Sequence, residues 1–184
     1  MNKEKIGLRR AFPPFLCEDL QAVLKILPAY KMSGEYFTVN MYGGTLRIPE
    51  RIYCEEVQSD IMGSLTEQQR KIAFCLYTRH YDGYVRERHL REIVKMRTFE
   101  KWLLPYVLRL SGEYVVEILE VVHDHLNEIN HRIVAGFVLE NPTFCMRLKS
   151  RVASYWDCYY RDRYPDKEKY AGFLIIKKIE DFLK

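Results

Sequence analysis

The sequence is short of what marks the common chemical classes, and each shortage removes something. No two of its five cysteines (Cys17, Cys54, Cys75, Cys145 and Cys158) form a Cys-x-x-Cys pair, and their number is odd. Neither a disulfide framework nor a zinc knuckle follows, and a reducing compartment is the expectation. No serine sits in a Gly-x-Ser-x-Gly elbow, and no glycine loop is built to cradle phosphate. Catalysis therefore has no positive support, and no cofactor is expected. No run approaches a membrane span, and the opening Met-Asn-Lys-Glu-Lys-Ile-Gly lacks the apolar core of a signal peptide. A cytoplasmic protein with no membrane attachment is the expectation. Linkers and low-complexity stretches are missing too. Residues 1–184 thus read as one domain, with an N-terminal helix and β-ribbon in 1–64 and a helical array in 65–184.

What the chain does have is tyrosine, fourteen in all, within an aromatic content of 14%. Tyrosine is amphipathic, so such an excess serves either wet-edged packing or a recognition surface. The net charge is +4, from 29 basic and 25 acidic residues. That balance falls well short of the one-sided excess of a dedicated nucleic-acid binder.

The chain is organised around its most apolar stretch, Thr98 to Leu139, where apolar residues recur three and four apart. This is the pattern of helices packed on both sides. Before it, the spacing predicts a helix over 15–27 and a β-ribbon near residues 35–54 turning at Gly43-Gly44. A loop is predicted over 58–64, a helix capped by Thr66 runs to about His80, and another spans 85–96. Thr98 is read as the cap of a helix in which Pro105 forces a kink or a late start. Further helices are predicted over 113–127, 129–140, 143–161 and 170–183. The fold class is mainly α, about seven helices in an array or an irregular bundle, with that small β-ribbon.

Residues 82–140 hold a weak repeat. Gly83-Tyr-Val-Arg-Glu-Arg-His-Leu aligns with Gly112-Glu-Tyr-Val-Val-Glu-Ile-Leu, and the following helices match at Leu103 over Ile133 and Val107 over Phe137. With Asp82-Gly-Tyr-Val-Arg-Glu opening one unit and Trp102-Leu-Leu-Pro-Tyr-Val turning it, this stretch resembles a short HEAT-type array. The resemblance implies a protein-binding scaffold and brings no catalytic residues with it.

Four constellations carry candidate chemistry. Glu120-x-x-His123 and Glu128-x-x-His131, with His125 between, offer metal-ligand types, but they lie too close in sequence to face each other across a bundle. A solvated helix end explains them better, and no metal is expected. Cys75 falls on the apolar stripe of its helix, where cysteine is an inert small hydrophobe. Residues 66–96 resemble a helix-turn-helix in layout, with Arg86, Arg88, Arg91 and Lys95 outward as candidate nucleic-acid contacts. The richest band is Arg147 to Tyr164, in which Arg147, Arg151, Tyr155, Tyr159, Arg161 and Arg163 are the candidate partner-binding residues. Its plainer alternative is that Tyr155, Trp156 and Tyr159 pack on the last helix. The function expected is a non-enzymatic interaction protein, its partner another protein or a second copy of itself, with nucleic acid as the alternative.

Overall fold

Local signals set most element boundaries in the computed structural model, which describes residues 7–96 and 98–184. The chain is mainly helical, with a small antiparallel β-ribbon near its N-terminal end. It divides into two compact units between Ile93 and Val94.

In the first unit, a 3-10 turn at Pro14–Leu16 leads into α1 (Cys17–Ile26), which buries Leu20, Val23 and Leu24. Strands β1 (Lys31–Met32), β2 (Tyr36–Met41), β3 (Gly44–Pro49) and β4 (Ile52–Tyr53) follow. β2 and β3 form a hairpin whose register sets Tyr36 opposite Pro49 and Met41 opposite Gly44. Its turn places Tyr42 at φ 53° and Gly43 at φ 73°. Two successive left-handed residues are what a two-residue hairpin turn of the primed type needs. The turn thus sits one residue earlier than the Gly43-Gly44 pair suggests, with a tyrosine in the costly position. Along the hairpin Phe37, Val39, Met41, Leu46 and Ile48 alternate inward. β4 does not extend this ladder; it pairs with β1 and bridges in parallel to His80.

The predicted loop over 58–64 contains a short helix, α2 (Ser59–Gly63), with Asp60 in its first turn where the helix dipole favours a carboxylate. α3 (Glu67–Tyr77) opens on Thr66 as expected. The Thr66 hydroxyl accepts from the Gln69 amide, while the Gln69 side chain accepts from the Thr66 amide. That reciprocal cap is worth about 1 kcal/mol. α1 packs on α3, and α4 (Gly83–Val94) closes the unit.

The second unit starts with a 3-10 turn, Lys101–Leu103, that runs into α5 (Leu104–Leu110). Pro105 lies in the first turn of α5, where its missing N–H leaves no bond unmade. The late start is therefore the observed outcome, and Glu100 rather than Thr98 occupies the cap position. All residues from Trp102 to Glu113 are buried. α6 (Val116–His125) and α7 (His131–Glu140) follow, the latter capped by Asn130, whose side chain accepts from the Arg132 amide at 2.9 Å. α8 (Pro142–Tyr155) widens into a π-helical turn, Trp156–Tyr160, and α9 (Ala171–Asp181) ends the fold. α9 packs on α6 and α8. A side chain at Gly172 would put its Cβ 2.8 Å from both Tyr170 Cε1 and Val152 Cγ1, so this glycine permits the close approach.

Candidate interaction surface

A π-helical turn carries one more residue per turn than an α-helix, so it re-aims the side chains that follow; such turns recur at functional sites. Here it separates the aromatic residues of the Arg147–Tyr164 band into an inner and an outer group. Trp156 turns in: its indole N–H donates to the Tyr164 carbonyl at 2.9 Å, and its ring meets Phe173 edge-on at 5.9 Å. Tyr160 also turns in, its hydroxyl donating to the Tyr114 carbonyl at 2.6 Å. Its ring stacks on Tyr170 at 5.2 Å, and Tyr164 completes an inner triad at 5.7 and 6.3 Å. Burial raises the pKa of both Tyr160 and Tyr170. The Tyr170 hydroxyl is buried and has no hydrogen-bond partner among the described residues.

The outer group is Tyr114, Tyr155 and Tyr159. Their ring centroids stand 6.1–6.4 Å apart, a triangle of contacting rings. Tyr114 is 50% exposed and Tyr159 67%. Arg151 anchors one corner: its Nε–H donates to the Gly112 carbonyl at 3.0 Å, and its guanidinium lies 5.6 Å over the Tyr155 ring. A cation on a tyrosine face at this distance is attractive and stiffens both groups.

Charge surrounds these rings unevenly. Residues 142–170 contain seven basic and four acidic residues, so this segment carries +3 of the chain's net +4. Arg161 pairs with Asp157 and lies 5.9 Å over Trp156. Lys149 pairs with Glu180 at 2.6 Å, and Lys169 with Asp166. Arg163 rests 5.3 Å over Tyr164. Arg147 and Arg163 have no carboxylate partner among the described residues.

Of the six expected partner-binding residues, Arg151, Tyr155 and Tyr159 come together. Arg161 and Arg163 border the inner aromatic group, and Arg147 stands exposed farther up α8. The plainer alternative holds for Trp156, which packs on α9 through Phe173, while Tyr155 and Tyr159 meet Tyr114 instead. Tyr114 was not legible as a member: its only local signal is its place beyond the Ser111-Gly112 break. α7, α8 and the chain end also enclose a mostly apolar groove of about 380 Å³, lined by Val138, Leu139, Pro142, Cys145, Met146, Lys149 and Leu183.

The helix-turn-helix candidates sit differently. Arg86 is buried, not outward; its Nη1 donates to the carbonyls of His80 at 2.9 Å and Tyr81 at 2.8 Å. Arg88 pairs with Glu56, and Arg91 with Glu87 at 2.8 Å; Lys95 is exposed. Fewer cations are left to meet phosphates than the spacing suggests. The nearby histidines are also engaged. The Asp82 amide donates to His80 Nδ1 at 3.1 Å, so the other ring nitrogen carries the proton and donates to the Cys54 carbonyl at 2.8 Å. His89 is buried, stacked 4.6 Å from Tyr77, with Nε2 2.6 Å from the Glu56 carboxylate. Burial outweighs that carboxylate and lowers the His89 pKa, keeping the ring neutral with Nε2–H as donor. Burial opposes charge on Glu56 too, but hydrogen bonds from Arg88 and His89 win and hold its pKa below normal.

Cys75 is fully buried, and burial pushes the Cys54 and Cys145 thiols up to about 11, away from the reactive thiolate. His125 Nδ1–H donates to the Val121 carbonyl at 2.9 Å, His123 lies 3.3 Å from Asp124, and His131 faces the Phe182 ring. Among the described residues no group of three or more His, Cys, Asp or Glu is placed to hold a metal ion, and no helix is long and apolar enough to cross a membrane. Comparison with protein-family models, curated proteins and solved structures finds no match to this chain.

Proposed function

We propose that this is a non-enzymatic interaction protein that binds another protein through the tyrosine and arginine face of α8 and its π-helical turn. The observation that carries the reading is the outer triad, three contacting tyrosines of which two are half exposed or more, held in place by Arg151. Tyrosine and arginine dominate binding hot spots because both offer large contact area together with a polar handle. Anchors already fixed by their own neighbours also lose less entropy on binding. The HEAT-type likeness of residues 82–140 belongs to the same proposal, since helical hairpins present such faces, and so does a cytoplasmic location.

The test is capture from a lysate of the source organism by the wild-type chain and by a Tyr114→Ala, Tyr159→Ala variant. A discrete partner held in high salt and lost from the variant supports the reading. A partner held equally by both chains sinks it.

Two other readings have specific support. A second copy of the chain is favoured by the apolar groove, beside which Leu139 is 73% and Met146 60% exposed. Light scattering of the wild type and of Met146→Glu tests it, a dimer that dissociates in the variant being the supporting result. Nucleic acid rests on the net +3 of residues 142–170 alone, a charge interrupted by four acids. Binding that falls steeply as salt rises would support it, because phosphate contacts release counterions.

A further inference from the structure

The outer tyrosine triad is open on one side and bounded by positive charge on the other. Arg151 already sits 5.6 Å over the Tyr155 ring, so the place a ligand cation would take is filled from within. A cation-reading aromatic cage is thereby disfavoured, since a second cation would meet a like charge. The segment that carries Tyr155 and Tyr159 has a net charge of +3, so an anionic partner suits it better than a cationic one. Arg147 and Arg163 flank Tyr155 and Tyr159 in sequence, with no carboxylate partner among the described residues.

A continuous phosphate track is a poor fit to the same charges. Asp157, Asp162, Asp166 and Glu168 are interleaved with the basic residues, and three of the seven cations are already paired. A phosphate backbone places a charge at every step and would meet these acids. A peptide with a few spaced carboxylates need not. Arg147 precedes Tyr155 on α8 by eight residues, about 12 Å along the helix axis. An extended peptide covers that length in about four residues.

We propose that this face seats an acidic peptide segment: an aromatic side chain rests on Tyr114, Tyr155 and Tyr159, and carboxylates a few residues to either side meet Arg147 and Arg163. The inference rests on the interaction-surface reading above and adds the chemistry of the partner. The aromatic anchor supplies buried area, and the carboxylates supply direction and register.

The probe is a fluorescein-labelled random copolymer of glutamate and tyrosine, titrated with the full chain and followed by anisotropy. Polyglutamate, a lysine–tyrosine copolymer and oligothymidylate are the comparison ligands. The expected result is saturable binding of the glutamate–tyrosine copolymer, with polyglutamate weaker by about tenfold. The Tyr114→Ala, Tyr159→Ala variant and the Arg147→Gln, Arg163→Gln variant each weaken it by about tenfold, with melting curves little changed because Tyr114 is half exposed and the other three are exposed. Equal binding of the lysine–tyrosine copolymer would reduce the face to general aromatic stickiness and overturn the proposal. Tighter binding of oligothymidylate would also overturn it, in favour of nucleic acid. If the wild type ignores the glutamate–tyrosine copolymer yet captures a lysate partner that the tyrosine variant loses, the acidic-peptide inference falls and the interaction-surface reading stands.

Discussion

Residues 80–92 and residues 142–164 are similarly rich in arginine and ring-bearing side chains, yet the fold treats them in opposite ways. In the first, Arg86 is spent on two backbone carbonyls, His80 is fixed from both ring nitrogens, and His89 with Arg88 holds Glu56. In the second, Trp156, Tyr160 and Tyr164 are drawn in, while Tyr155 and Tyr159 stay out beside Tyr114. A motif-like cluster of polar side chains is thus no guide to function until its hydrogen bonds are assigned. What is consumed by the fold has little left for a ligand.

This contrast is best broken at Arg86. Arg86→Ala strands two carbonyls and empties a buried site, and should lower stability by about 3 kcal/mol or more in denaturant titration. Arg91, whose ion pair with Glu87 is half exposed, should cost under about 0.5 kcal/mol on the same change. Equal losses would mean that Arg86 is not the structural member of the pair. Gly172→Ala tests packing beneath the aromatic band. Its new Cβ meets Tyr170 and Val152 at 2.8 Å, and overpacking of this kind costs about 1–3 kcal/mol.

Within the band, Tyr160→Phe removes the hydrogen bond to the Tyr114 carbonyl and should cost about 1 kcal/mol. Tyr170→Phe removes a buried hydroxyl with no hydrogen-bond partner among the described residues, and should be neutral or slightly stabilising. The reverse order of these two effects would show that the inner triad is wired differently.

The Glu56–His89 pair sets a pH dependence. Both groups have a lowered pKa in the folded chain, so the unfolded chain takes up protons first as pH falls. His89 contributes stability that is complete above its ordinary value near 6.5 and fades below it; the Glu56 contribution fades at lower pH, below about 4.5. His89→Gln should therefore flatten the loss of melting temperature between pH 7 and 5 relative to wild type. An unchanged slope would place the acid sensitivity elsewhere.

Much of the fold could be read from periodicity and punctuation. Thr66, Pro105, the Ser111-Gly112 break and the hairpin over 36–49 all act locally, and local chemistry is what a sequence displays. The direction of Arg86 is different in kind. It depends on where the carbonyls of His80 and Tyr81 end up after α3 stops, and an amphipathic pattern cannot supply that. The tyrosine face was half legible for the same reason. Arg151, Tyr155 and Tyr159 share one helix face, but Tyr114 joins them across a separation of more than forty residues, as the Tyr160 bond to its carbonyl does across 46. The π-helical turn that divides inner from outer rings has no sequence signature here beyond its run of aromatic residues.

The central claim is that the outward tyrosines are the functional surface and can be removed without harm to the fold. It is tested most directly by measuring melting temperature and partner capture side by side for the Tyr114→Ala, Tyr159→Ala variant. The account predicts an unchanged melting curve and loss of the partner. A partner still held by a fully folded variant would contradict it.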